Sequence, residues 1–226
     1  MSDLRLVIFD VDGTLIDSQA HILAAMDAAF TAHNLPAPDR AATLSIVGLS
    51  LPIAMARLAP DHPDHQATLV DAYKDAFGQM RRSPDGAALS PLFPGARAAL
   101  DRLAAEDHTL LAIATGKSRR GMDHILDLHG LRRLFQSVQV ADDHPSKPHP
   151  AMVAACLRDT GTEPGRAVII GDTTYDIDMG RAAGIHALGV AWGYHPAQSL
   201  TASGAAAILH SFDALPAALD RLCPNT

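Results

Sequence analysis

The chain has 226 residues, of which 48% are apolar and only 4% aromatic, and its formal charge is −7. That length suits one domain with an insertion, its core filled by Ala, Leu, Ile and Val. The acidic balance, with no long basic run, excludes nucleic acid as a partner, and no apolar run reaches the ~20 residues of a membrane helix.

The start also lacks the charged and then apolar pattern of a secretion signal, so a cytoplasmic protein with no membrane partner is expected. Cys156 and Cys223 lie far apart without metal-ligand spacing and read as a buried small hydrophobe and a tail thiol.

Leu4 to Phe9 is a short apolar run rich in β-branched residues, the pattern of a strand buried on both faces. It stops at Asp10-Val11-Asp12-Gly13-Thr14-Leu15. Two carboxylates this close repel unless a cation or a proton lies between them. A turn is the plainer reading of Asp and Gly; a hard divalent cation is the chemical one.

Ile22, Met26 and Phe30 then recur at helical spacing, so residues 18–33 read as an amphipathic helix with Ser18 as N-cap. Residues 39–58 read as two helical pieces broken around Gly48. Leu69, Tyr73, Phe77 and Met80 mark a further helix, and Ser83-Pro84-Asp85-Gly86 closes the region. Residues 18–90 therefore form a helical block inserted after the first strand. The flanking residues, 1–17 and 91–226, form the rest.

From Leu92 onward strands and helices alternate. Helices are expected at about 94–106, 118–129, 149–159, 174–183 and 213–222. Strands are expected at 109–114, 136–140, 167–170 and 186–191, with a short edge strand at 206–209. This alternation specifies a Rossmann-like parallel sheet with helices on both faces, an α/β fold carrying an all-helical insertion.

Three further stations fall at strand ends. Thr115-Gly116-Lys117-Ser118 resembles a phosphate loop only superficially, because Leu111 stands where that loop needs its first Gly. A helix cap and a hydroxyl for phosphoryl oxygens both remain open, since a helix N-terminus serves either. Lys147-Pro148 follows the third strand. Lys147 is one of three lysines beside 15 arginines, and Pro148 would aim it over the strand ends, where it can neutralise a carboxylate and a phosphate together. Gly171-Asp172 follows the fourth strand, with Asp176 one helical turn on. A helix dipole explains acids such as Asp176 or Asp178, but not Asp172 at the strand exit.

Taken in order, Asp10-Val11-Asp12-Gly13-Thr14, Thr115, Lys147-Pro148 and Gly171-Asp172 with Asp176 resemble the four motifs of the haloacid dehalogenase superfamily. The resemblance covers the whole length, with the helical block at the position of that family's small α-helical cap. It implies Asp10 as nucleophile, Asp12 as general acid and base, and Thr115 and Lys147 as phosphoryl-binding and charge-balancing groups. It also implies Mg²⁺ held by Asp10, Asp12 (through its carbonyl) and Asp172, with Asp176 behind them. The substrate would be a small phosphorylated metabolite. Gly116, Lys117, Gly48 and Arg57 are further candidates for substrate contact.

Thr115-Gly116-Lys117-Ser118-Arg119-Arg120-Gly121 is similar to bacterial phosphoglycolate phosphatases. Pyrophosphate, sugar phosphates and a β-phosphoglucomutase-like transfer stay open, as does a catalytically silent binding protein on the same fold. Asp12 argues against a metal-free dehalogenase. A phosphonatase would need a cap lysine, for which Lys74 alone is available. A receiver domain would carry its acceptor Asp after the third strand and no long helical insert. The histidines form no helical i, i+4 pair, which speaks against zinc.

Overall fold

The computed structural model describes residues 4–83 and 86–224. The Ser83 to Gly86 turn expected from the sequence includes residues 84 and 85 and so lies outside the described residues. Six parallel strands form one sheet: β1 (Arg5–Phe9), β2 (Thr109–Thr115), β3 (Ser137–Val140), β4 (Ala167–Gly171), β5 (His186–Val190) and β6 (Ala207–Leu209). Their order is β3-β2-β1-β4-β5-β6.

β1 is central and completely buried, which accounts for its unbroken apolar run. Alternate β1 residues serve opposite faces. Val7 and Phe9 join one core cluster with α5 (Ala96–Ala104), α6 (Arg119–Leu128) and α10 (Leu215–Leu222). Leu6 and Ile8 join the other, with α7 (Ala151–Thr160), α8 (Thr174–Ala182) and α9 (Ala197–Ala202). The short α9 had no clear apolar period and was not anticipated.

Between β1 and β2 lie α1 (Gln19–Ala32), α2 (Arg40–Ser45), α3 (Leu51–Leu58) and α4 (Gln66–Arg81). They enclose a core of their own, in which Met26, Phe30, Met55 and Leu69 are buried together. The chain leaves and re-enters the sheet region side by side. Ile16 bridges Leu92, and the Asp17 N–H donates to the Pro91 carbonyl at 2.9 Å. Among the described residues no helix is long and apolar enough to cross a membrane. Both cysteines are free and buried.

The strand order changes direction between β1 and β4, and ligands bind beyond the carboxyl ends of strands at such a point. Asp10 and Asp172 follow those two strands directly.

Candidate active site

The turn after β1 is tight. The N–H groups of Thr14, Leu15 and Ile16 all point back to the Val11 carbonyl. Gly13 has φ +83°, and a Cβ there would overlap the Asp172 carboxylate and the Tyr194 ring. Only glycine serves at this position. This turn brings the first and fourth motifs into contact: Thr14 Oγ1 donates to Asp172 Oδ1 at 3.0 Å, and the Tyr194 N–H donates to Oδ2 at 2.9 Å.

Lys147 Nζ donates to Asp10 Oδ1 at 2.7 Å and to Asp176 Oδ1 at 2.6 Å, with all three side chains buried. Asp176 Oδ2 accepts from the N–H (3.1 Å) and the hydroxyl (2.7 Å) of Thr173, the reciprocal cap of α8. Every Asp176 oxygen is thus engaged, which fixes Lys147 between two acids. Asp10 Oδ2, in contrast, is buried with no hydrogen-bond partner among the described residues.

Burial pushes the Asp10 carboxyl up to about 7. Lys147 opposes that shift, while Asp176 and Asp12 add to it. Burial, with repulsion from Asp10 and Asp176, likewise raises Asp172 well above the usual carboxylate range. Lys147, although desolvated, is held above its ordinary value by Asp10 and Asp176. Asp10, Asp172 and Asp176 each offer an oxygen within 4.8 Å of the others. One lysine does not balance three buried acids, so a hard divalent cation suits this all-oxygen donor set.

Asp12 points elsewhere. Its Oδ1 and Oδ2 accept from Lys117 Nζ at 2.8 and 2.9 Å, and Oδ1 also accepts from the Ser18 hydroxyl. Ser18 stands at the N-cap of α1 but makes no side-chain cap bond. The carboxylate of Asp12 draws the hydroxyl away from the helix, because a charged acceptor binds more strongly than a free helix end.

Thr115 ends β2, buried, and its hydroxyl accepts from the Lys117 N–H at 3.3 Å. Ser118, not Thr115, caps α6, accepting from the Gly121 N–H at 3.2 Å. Thr115 is therefore left facing the cavity.

That cavity has a volume of about 340 Å³ and lies between the helical insert and the strand ends. Asp10, Asp12, Thr115, Gly116, Lys117 and Gly48 all line it. Gly48 has φ +96°, and its carbonyl lies so close to Gly116 that a Cβ on Gly116 would strike it. Lys147 sits behind Asp10, outside this lining.

Arg57 does not line the cavity either. Its guanidinium donates to the Tyr175 hydroxyl at 2.7 Å and lies over that ring. Tyr175 in turn donates to the Ser45 carbonyl at 2.9 Å. Arg57 therefore fastens the insert to α8. Ser18, Thr14, Thr173 and Tyr194 were missed from the sequence. Thr14 lay inside a quoted motif and Thr173 between Asp172 and Asp176; Ser18 read only as a helix cap, and Tyr194 carried no signal.

A family model described as haloacid dehalogenase-like hydrolase matches residues 7–190. A protein named "Probable phosphatase IndB" from Dickeya dadantii is 34% identical over 210 residues, covering 92% of this chain and 90% of that one. A phosphoglycolate phosphatase of Pseudomonas putida is 27% identical over 219 residues, covering 93% and 78%. The solved structure of a haloacid dehalogenase-like hydrolase from Streptococcus pneumoniae superposes with a TM-score of 0.82 at 25% identity, covering 96% and 99%.

Proposed function

The chain belongs to the haloacid dehalogenase-like hydrolases and is a phosphatase of that family, and from that premise we propose that it is a Mg²⁺-dependent phosphomonoester hydrolase working through a phosphorylated Asp10. Its substrate would be a small phosphorylated metabolite of the cytoplasm; phosphoglycolate is the candidate that the related enzymes bring forward. The observation that carries this reading is Asp10 Oδ2. It is buried at the end of the central strand without a partner among the described residues, while Lys147 holds the other oxygen of the same carboxylate.

Asp10, Asp172 and the Asp12 carbonyl would hold the cation. When bound, it would keep the carboxylates ionised and draw charge from the phosphoryl oxygens. Asp10 attacks phosphorus; the new oxygen–phosphorus bond forms as the bond to the leaving oxygen breaks. Asp12 gives that oxygen its proton. Asp12 then takes a proton from water, which attacks the same phosphorus, releasing phosphate and restoring the Asp10 carboxylate.

Lys147 keeps Asp10 charged and offsets negative charge as it builds up. The Thr115 hydroxyl and the backbone N–H groups that follow it would hold phosphoryl oxygens. Ser18 and Lys117 set the position of the Asp12 carboxyl. The helical insert (18–90) would act as a cap on the core (1–17 and 91–226), turning about the paired passages at residues 16–17 and 91–92 and shutting out water.

The test is phosphate release from p-nitrophenyl phosphate, phosphoglycolate, pyrophosphate and sugar phosphates, run with Mg²⁺, with EDTA and with Asp10→Asn. Release that needs metal and disappears in the variant supports the reading. Release that survives either change refutes it.

A further inference from the structure

We propose that the preferred substrate is a phosphomonoester whose leaving group carries an aromatic ring next to the ester carbon and a carboxylate at its far end. This rests on the phosphatase reading above and names the substrate class of that site.

Glycolate would leave most of the cavity and its apolar lining unfilled. Beyond its bridging oxygen, phosphoglycolate has only a methylene and a carboxylate. A volume of about 340 Å³ is within the range of sites that enclose drug-sized ligands, roughly 300–1,000 Å³. Its lining includes Ile22, Met26, Val47, Tyr73 and Phe77, all from the insert. A wholly polar leaving group would gain nothing from these side chains and would lose its water there.

Polarity changes along one face of α4. Tyr73, Phe77 and Arg81 follow at four-residue spacing and share that face. Tyr73 is buried, while Phe77 and Arg81 are half-buried. Lys117 Nζ, which holds Asp12, lies 5.2 Å from the Phe77 ring centroid. The Phe77 ring thus stands next to the catalytic acid, and Arg81 follows one helical turn beyond it.

At the rim, Arg81 Nη1 reaches the Arg120 carbonyl at 3.5 Å, and Arg82 and Arg120 line the same opening. Among the described residues none of these three arginines forms an ion pair. Burial and the neighbouring Arg120 and Arg82 hold Arg81 below its ordinary value. Asp75 and Asp142 are also on the lining, but Asp142 is engaged by the Arg119 N–H at 2.8 Å. In a chain of charge −7, three guanidiniums at one mouth, without an ion pair among the described residues, outnumber Asp75 and Asp142 there and make a local site for an anion.

The test uses the Mg²⁺-loaded full chain and three esters of primary alcohols, phosphoglycolate, benzyl phosphate and 4-carboxybenzyl phosphate, so that the leaving oxygens are alike. The expected order of kcat/KM is 4-carboxybenzyl over benzyl over phosphoglycolate, about tenfold at each step. Phe77→Ala should narrow the ratio of benzyl phosphate to phosphoglycolate. Arg81→Gln with Arg120→Gln should abolish the advantage of the carboxybenzyl ester over the benzyl ester.

Phosphoglycolate turned over faster than both benzyl esters, or ratios unmoved by these variants, would overturn the proposal. If neither these esters nor p-nitrophenyl phosphate, pyrophosphate and sugar phosphates release phosphate, the phosphatase reading has failed; where these three esters alone are silent, or that reading has failed, the cavity is judged by calorimetry. Tighter binding of 4-carboxybenzylphosphonate than of phosphonoacetate upholds the proposal, and the reverse overturns it.

Discussion

Replacing Lys147 with Met keeps most of the side chain's length and removes its charge. The structure sets the scale. Lys147 Nζ lies 2.7 Å from Asp10 and 2.6 Å from Asp176, with no solvent on any of the three side chains. Removing one partner of a buried ion pair costs about 3–5 kcal/mol, because the remaining charge has neither water nor counter-ion. Here two acids are left, beside a third at Asp172.

Asp10 escapes part of the cost by taking up a proton, since burial already pushes it to about 7. Asp176 keeps its two bonds from Thr173. The lower end, a loss of about 3 kcal/mol, is therefore expected. Urea unfolding in EDTA at neutral pH measures it, and Lys147→Met with Asp176→Asn separates the causes. If the cost is uncompensated charge, the double variant recovers about 1–3 kcal/mol relative to the sum of the single ones. Additive losses, or a Lys147→Met loss below about 1 kcal/mol, would refute the electrostatic account.

Ser18→Ala removes a hydroxyl bound to the Asp12 carboxylate. Such a bond is worth about 1.5–3 kcal/mol, so steady-state kinetics should show kcat down by roughly ten- to a hundredfold, with KM little changed. Gly116→Ala places a methyl group against the Gly48 carbonyl, where only backbone can yield. A drop of at least about tenfold in kcat/KM is expected, with a stability loss of about 1–3 kcal/mol.

His21 is buried, donates from Nε2 to the Phe77 carbonyl at 3.0 Å, and has no partner for Nδ1 among the described residues. Burial lowers its proton affinity below the ordinary 6.5. The unfolded chain then binds the proton more readily, so this contribution is complete above 6.5 and is lost as pH falls below it. The slope is at most about 1.4 kcal/mol per pH unit. Comparing unfolding of His21→Gln and the parent between pH 5 and 8 should show the parent losing more on acidification; parallel curves would rule this out.

Much of the site was legible because its residues are marked by position. Asp10, Thr115 and Asp172 follow or end apolar strands, and a parallel sheet gathers such ends at one edge. Lys147 stood out through its rarity and its proline. The remainder depended on contacts that no period encodes. Ser18 looks like any helix cap until the fold sets Asp12 against it. Tyr194 contributes a backbone N–H to Asp172, which any residue could supply. The partner of Arg57 was likewise invisible: a charged side chain on the insert has no fixed partner in sequence, whereas Tyr175 supplies one in space. Arg5 was read as part of an apolar strand. It is buried and bound to Glu106 at 2.5 Å and Asp220 at 2.9 Å, acids about a hundred and two hundred residues away.

The most direct measurement is the mass of the Asp10 peptide after rapid acid quench of Mg²⁺-loaded protein during turnover of p-nitrophenyl phosphate. Gain of one phosphoryl group on Asp10, absent in EDTA and absent in Asp10→Asn, is the expected result. Steady release of phosphate with Asp10 unmodified at every quench time, or with the group on another residue, would contradict nucleophilic attack by Asp10.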